Sequence, residues 1–398
     1  MVARNVPPRV ASDRGSSLGL SLDGETKPLL TVGIATFNRA RLLTDMVHSV
    51  CSQAERYDLA SEVEIAVSDN ASTDDTKLVV ERLQAETAVR IRYHVNESNL
   101  GPGRNVARTL ELARGRYWMF YGDDDLMADE ALPAILDTFR RHPDASAFVF
   151  AQAGAGESAA DVLTDRRLTV AEAARDFFYY LGNAGVTALK VSDGQSQLTR
   201  FGLDRFQNWW PVTNLAFMAM AVGESRRPCM VTDVASSRSP HHSENTVYTS
   251  WYVWETKFYS LLRTAEGLRT MLGDSFYRSA CAHVCGRRRM LPLARQFFLY
   301  ATMMDVPEDL RLSRRVTRRS LRTAMPRSVI PLAVLWLIAA LPTPIKRALL
   351  RMWLLVRRGR EAPVHWSRLS HEAAEHRERR AAAMAGHGAV RLYSPDDV

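Results

Sequence analysis

The sequence predicts an α/β protein: a mainly parallel sheet flanked by helices, followed by a helical, basic C-terminal region. Two observations carry this. Between residues 28 and 154, apolar runs of strand length alternate with segments of helical periodicity, the signature of strands joined by helical crossovers. From Arg311 to Arg360 there are thirteen Lys or Arg and no Asp or Glu, on a background of helical spacing.

The elements are expected in this order. Leu29 to Ala35 is a short apolar strand, followed by a helix over about 40–52. Val63 to Val67 is a second strand, with a helix over about 74–84. Val89 to Val95 alternates like a strand near an edge and leads into a helix over about 103–113. Tyr117 to Tyr121 is the fourth strand, with a helix over 129–140, and Ala147 to Phe150 is the fifth. In such sheets ligands bind beyond the carboxyl ends of the strands.

Those ends are polar. Thr36, Asn38 and Arg39 follow the first strand; Ser68, Asp69 and Asn70 follow the second. Asn99, Gly101, Gly103, Arg104 and Asn105 follow the third, and Asp123, Asp124 and Asp125 follow the fourth. Each taken alone is compatible with a turn or a helix cap; the triple Asp in particular could be an acidic cap for the next helix. Four successive ends delivering such residues to one rim point to a binding site. Three adjacent carboxylates against an apolar strand repel one another, and a hard divalent cation (Mg²⁺ or Mn²⁺) that also meets a substrate's phosphates relieves the repulsion. Arg beside the cluster would stabilise charge on a departing phosphate. There is no G-x-x-x-x-G-K-[ST], and no G-x-G-x-x-G opens the first helix, so P-loop and dinucleotide sites are disfavoured.

Thr31-Val32-Gly33-Ile34-Ala35-Thr36-Phe37-Asn38-Arg39, Ser68-Asp69-Asn70-Ala71-Ser72-Thr73-Asp74-Asp75-Thr76, Asn99-Leu100-Gly101 with Arg104-Asn105, and Gly122-Asp123-Asp124-Asp125 together resemble glycosyltransferase family 2, and most of all its abequosyltransferase-like branch. The resemblance covers about residues 29–150. It implies a GT-A fold and inverting transfer of a sugar from a nucleotide-diphosphate donor, with Mg²⁺ or Mn²⁺ as cofactor. It implies that Thr36, Asn38, Arg39, Asn70, Gly101 and Asp123 surround the nucleotide sugar, Asp69 the base, and Arg104 the base and diphosphate. Asp123, Asp124 and Asp125 stand where the family's metal-binding Asp-x-Asp stands. Gly122 occupies the place of that motif's first Asp, so either the register shifts to Asp123-x-Asp125 or Asp124 binds the metal with less help at the ribose.

One-step inversion needs a base on the acceptor hydroxyl. Many family members carry it in a Glu-Asp pair that is missing here: the corresponding region reads Gly202-Leu203-Asp204-Arg205-Phe206-Gln207-Asn208-Trp209-Trp210. Asp204 is the nearest acid, and His241 and His242 are the other candidates. Trp209, Trp210, Trp251 and Trp254 are candidates for stacking on sugar, with a core role the alternative.

The remaining expectations concern organisation. Four cysteines form no disulfide framework in 398 residues, and Cys281-Ala282-His283-Val284-Cys285 reads as buried thiols rather than a metal cluster. Residues 1–27 lack the apolar core of a signal peptide and are expected to be disordered. Residues 28–265 form the catalytic domain, with nucleotide-sugar binding in 28–125 and the acceptor part in 126–265. Residues 266–360 are helical and membrane-proximal, and 361–398 a disordered tail. Net charge is +8, so outside the +13 of residues 311–360 the chain is acidic; that asymmetry suggests a local anionic surface, not nucleic acid. Val329 to Leu341 is too short to span a bilayer, whereas 342–360 is amphipathic. The expected location is cytoplasmic, peripheral on the inner face of the membrane, with a glycan or lipid-linked acceptor. The alternatives are a soluble transferase acting on a small metabolite and a non-catalytic nucleotide-sugar-binding protein.

Overall fold

The computed structural model describes residues 27–153, 165–206, 210–238, 258–285, 290–303, 307–324, 337–338 and 340–385. His241, His242, Trp209, Trp251 and Trp254, and the expected disorder of residues 1–26, lie outside them.

Among the described residues, nine strands join one sheet. They are β1 (Leu30–Thr36), β2 (Val63–Asp69), β3 (Arg90–Val95), β4 (Tyr117–Gly122), β5 (Leu126–Met127), β6 (Ala147–Gln152), β7 (Arg166–Leu168), β8 (Thr187–Lys190) and β9 (Cys229–Arg238). The order is β3-β2-β1-β4-β8-β6-β9-β5, with β7 beside β9. β3, β2, β1 and β4 pair in parallel, joined by α1 (Ala40–Arg56), α2 (Thr76–Glu86) and α3 (Pro102–Leu112); α4 (Ala131–Arg141) follows β5. The expected fifth strand, now β6, does not sit against β4. The antiparallel β8 lies between them, so the sheet turns mixed beyond β4. It also continues without a break across residue 125, where β5 to β9 extend it.

Side-chain alternation explains why both faces are covered. On β4, Tyr117, Met119 and Tyr121 enter one core with residues of α1 and α4, while Trp118 enters the other. On β6, Phe148 and Phe150 join the first core and Ala147 and Val149 the second. Tyr117 stacks on Phe139 of α4 at 4.4 Å, and Phe148 meets Phe139 edge-on at 4.9 Å. Burying an aromatic or aliphatic side chain of this size contributes about 1.5–3 kcal/mol. At the end of the sheet away from the rim, the buried Glu64 accepts from Thr31 Oγ1 (2.7 Å), Arg92 Nε (2.9 Å), and the amides of Arg114 (2.6 Å) and Gly115 (3.1 Å). A buried carboxylate is tolerated when satisfied in this way, and here it ties the starts of four strands together.

The second core is closed by helices. Val170–Phe177, capped by Thr169 and Glu172 in a capping box, packs on the long helix Ser260–Cys285, which kinks at Gly273. Pro307–Ala324 packs on the same long helix; Thr343–Arg358 packs on Met290–Met303 and on Ala362–Ala385. The last of these corrects the expected tail. Residues 362–385 are helical because Ala, Glu and Arg are strong helix formers and because Leu369 and Ala373, four apart, bury one edge. Cys281 and Cys285 are buried free thiols raised in pKa by desolvation, as expected of core residues. Among the described residues, no helix is long and apolar enough to cross a membrane.

Candidate active site

The register levels the strand ends. Thr36 of β1 lies opposite Asp69 of β2, Asp69 opposite Val95 of β3, and Ala35 opposite Gly122 of β4. Side chains at these positions and just beyond them share one rim.

Asp123 is at the back of this rim and is buried. Its Oδ2 accepts from Thr36 Oγ1 at 2.9 Å and its Oδ1 from Arg39 Nη1 at 2.9 Å. Burial pushes its carboxyl up to about 6, against the opposing pull of Arg39 and Thr36. Arg39 Nη1 also stands 3.6 Å from Asp124 Oδ2, so one guanidinium bridges both acids. Asp125 closes a tight turn, its amide donating to the Gly122 carbonyl (3.2 Å) and its Oδ2 accepting from the Gly122 amide (3.3 Å). The cluster is thus not a helix cap: β5 follows it directly, and α4 begins only after Glu130. The Gln53 side chain of α1 fixes what comes next, donating to Ala128 O (2.9 Å) and accepting from Leu132 N (3.0 Å).

Gly122 has a steric reason. A β-carbon there would lie 2.7 Å from Asp124 Oδ1 and 3.0 Å from Asp125 Oδ2. The two carboxylates lean over this glycine and fill the space where a first Asp would project. No group of three or more His, Cys, Asp or Glu forms a ready metal cluster among the described residues. Two converging carboxylates nevertheless fit a hard cation of the kind held by one or two acids plus substrate phosphates.

The other predicted residues prove tightly partnered. Asp69 is buried; its Oδ1 accepts from Ser72 N (2.8 Å) and its Oδ2 from Tyr93 OH (2.6 Å). Asn38, at φ 54°, accepts from Thr73 N at 2.8 Å, and its amide donates to Ser72 Oγ at 2.9 Å, so the loops after β1 and β2 are stitched together. Asn70 Nδ2 donates to Asn99 Oδ1 (2.8 Å), and Asn70 Oδ1 accepts from Leu100 N (2.8 Å). Gly101, with φ 82° and ψ 161°, starts α3 in a backbone conformation that favours glycine. Asn105 accepts from Ser68 Oγ (2.7 Å) and Asn96 Nδ2 (2.9 Å) and donates to the carbonyls of Ser68 (3.1 Å) and Thr36 (3.3 Å).

Sequence reasoning missed Tyr93 and Asn96. Asn96 carries the same signal as the others, an amide directly after a strand, whereas Tyr93 inside β3 looks like any sheet residue. Hydrogen bonding to Asp69 adds to burial in holding the Tyr93 phenol far above its ordinary range.

Arg104 and Asp204, a hundred residues apart, meet at 3.1 Å between Nε and Oδ1; Asp204 sits on the one-turn 3-10 helix Leu203–Phe206 and is largely exposed. Trp210 is buried beside Tyr179 (5.3 Å between rings), which makes it a core residue instead of a sugar platform.

The sequence and the fold have known counterparts. Residues 31–205 match Glycosyl transferase family 2. The chain is 38% identical over 111 residues to the abequosyltransferase RfbV of Salmonella typhimurium, covering 28% of this chain and 32% of that one. It is 37% identical over 110 residues to the GalNAc(5)-diNAcBac-PP-undecaprenol beta-1,3-glucosyltransferase of Campylobacter jejuni, covering 27% and 34%. The matched region thus spans about a third of the length of these relatives. Among solved structures, TarS 1-349 of S. aureus superposes with a TM-score of 0.52 at 16% identity, over 75% of this chain and 90% of that one. The mannosyltransferase PcManGT of Pyrobaculum calidifontis, solved with GDP-Man and Mn²⁺, gives 0.50 at 16% identity over 80% and 87%. The fold is therefore GT-A-like, and residues 31–205 carry the match to Glycosyl transferase family 2.

Proposed function

We propose that the chain is an inverting glycosyltransferase that moves a sugar from a nucleotide-diphosphate donor to a lipid-linked or membrane-proximal glycan, in polysaccharide or cell-envelope assembly. The observation that carries this reading is the Thr36–Asp123–Arg39–Asp124 chain at the strand-end rim of a family 2 domain. Buried Asp123 fixes the Arg39 guanidinium, which then presents positive charge where a diphosphate leaves. Asp69, Asn70 and Asn38 hold the loops after β1 and β2 in one shape, which favours a rigid nucleotide pocket. Asp124 and Asp125 would hold Mg²⁺ or Mn²⁺, which would supply charge neutralisation on the diphosphate.

In the transfer, an acceptor hydroxyl oxygen bonds to the anomeric carbon as the bond from that carbon to the diphosphate breaks on the opposite face. The hydroxyl proton goes to a base, for which Asp204, next to Arg104, is the candidate among the described residues. The Campylobacter relative's acceptor is lipid-linked by its name, and the acid-free, +13 stretch over 311–360 suits a chain working beside an anionic membrane.

Thermal-shift screening of UDP, GDP, CDP and dTDP with Mn²⁺, followed by donor turnover in Asp124→Ala and Asp125→Ala, tests the proposal. One nucleotide should stabilise the protein and both variants should lose turnover. No response to any nucleotide would overturn it, and binding without turnover would favour a non-catalytic nucleotide-sugar-binding protein.

A further inference from the structure

We infer that the solvent-facing side of the helix Thr343–Arg358 is a docking surface for an anionic lipid bilayer, with the helix lying flat in the interface. The inference rests on the membrane-proximal part of the reading above and assigns it to particular residues.

The helix has three faces. Lys346, Leu350 and Leu354, four apart, are buried, on a helix that packs against Met290–Met303 and Ala362–Ala385. That contact accounts for one apolar edge. Ile345, Leu349, Met352, Trp353 and Val356 follow the 3.6-residue period on a different edge, with exposures of 47%, 39%, 57%, 43% and 80%. A helix at a protein surface ordinarily carries polar residues there, so a second apolar stripe on an already docked helix has no structural reason in water. Leu355, Leu337 and Val364, at 58%, 59% and 71%, add exposed apolar surface on this and adjoining segments. The third face is basic: Arg347, Arg351 and Arg358 recur at four- and seven-residue spacing, all exposed.

Charge selects the occupant. Residues 311–360 carry thirteen basic side chains and no acid. A second copy of this chain would bring the same charge to the same surface and be repelled, whereas an anionic bilayer is attracted to it. Shape agrees. Sixteen residues span about 24 Å, and the apolar residues form a stripe rather than a full circumference, the pattern of a helix buried to its equator in the headgroup region. Trp353, on the margin of the stripe, matches the preference of its ring for that depth.

The test is co-sedimentation of the full chain with vesicles of phosphatidylcholine alone or with about one-third phosphatidylglycerol, beside the variants M352S/W353S/V356S and R347Q/R358Q. These positions are exposed, and an unchanged melting temperature checks that both variants fold. Wild type should bind the anionic vesicles at least ~10-fold more tightly than the neutral ones. The apolar variant should lose most binding to either, and the charge variant should lose the preference between them. Equal binding by wild type and the apolar variant, or no binding by wild type at low salt, overturns the inference. So does a concentration-dependent dimer that the apolar variant abolishes, since the stripe would then cover a second copy. Nucleotide-induced thermal shift, measured on the same samples, reports on the transferase reading separately. Its absence with lipid binding intact would sink that reading and leave the docking surface standing.

Discussion

Arg104 Nε stands 3.1 Å from Asp204 Oδ1, joining the first turn of α3 to the turn Leu203–Phe206. Asp204 is mostly exposed, so the pair adds little to stability. Its value is positional: it holds a carboxylate against the first turn of α3, beside the strand-end rim. Asp204→Asn should therefore leave the melting temperature nearly unchanged and lower kcat by about 10²-fold or more, with the donor KM little affected. Arg104→Met should raise the donor KM as well. Steady-state transfer kinetics check both, and an active Asp204→Asn enzyme would remove Asp204 as the base.

Placing an Asp at position 122, where many members of the family that the sequence resembles have one, should do harm. The added β-carbon would overlap Asp124 Oδ1 at 2.7 Å, a contact relieved by swinging the Asp124 carboxylate aside. Gly122→Asp and Gly122→Ala are both expected to fold and to bind Mn²⁺ at least ~10-fold more weakly than wild type. Calorimetric titration with Mn²⁺ and the cognate nucleotide measures this. Tighter binding by Gly122→Asp would mean that the glycine is a defect.

The parallel half of the sheet was legible because β1, β2 and β4 are predominantly apolar runs, each ending in a burst of small polar residues. What lay beyond β4 was not. β8 is only four residues long, and its pairing between β4 and β6 is decided by long-range packing that no local pattern records. At the site, residue types pointed to the rim but not to the partners. Asp69 and Asn70 look like ligand contacts in sequence, yet in the fold their oxygens already accept from Ser72, Tyr93 and Leu100. The helix 362–385 was hidden by a composition that suits both a helix and a solvated tail.

Asn105 is expected to matter more for rigidity than for ligand contact. It bonds to both strand-end carbonyls, Thr36 O and Ser68 O, and to the side chains of Ser68 and Asn96. Asn105→Leu keeps the volume but strands several buried polar groups, each costing about 1–3 kcal/mol when unpaired. Denaturant unfolding should register a loss of about 2–4 kcal/mol. Nucleotide affinity should fall too, although Asn105 is buried below the rim. A loss under ~0.5 kcal/mol would show that the network re-pairs around the gap.

Asp123 gives the pH dependence. Its carboxyl is raised from 3.8 to about 6 by burial, so between those values the folded protein binds more protons at this group than the unfolded chain does. Stability contributed by the group is thus fully present below about pH 4 and is lost as pH rises through about 6. Asp123→Asn removes the titration. In metal-free protein, the stability of wild type minus that of the variant should increase as pH falls from 7.5 to 5, by about 1.4 kcal/mol. Function should run the other way. Protonating Asp123 removes the anion that fixes Arg39, so nucleotide affinity should decline below about pH 6. Urea unfolding at several pH values reads the first trend, and nucleotide titration over the same range reads the second. A stability difference that is flat with pH would mean that Arg39 and Thr36 hold Asp123 ionised throughout.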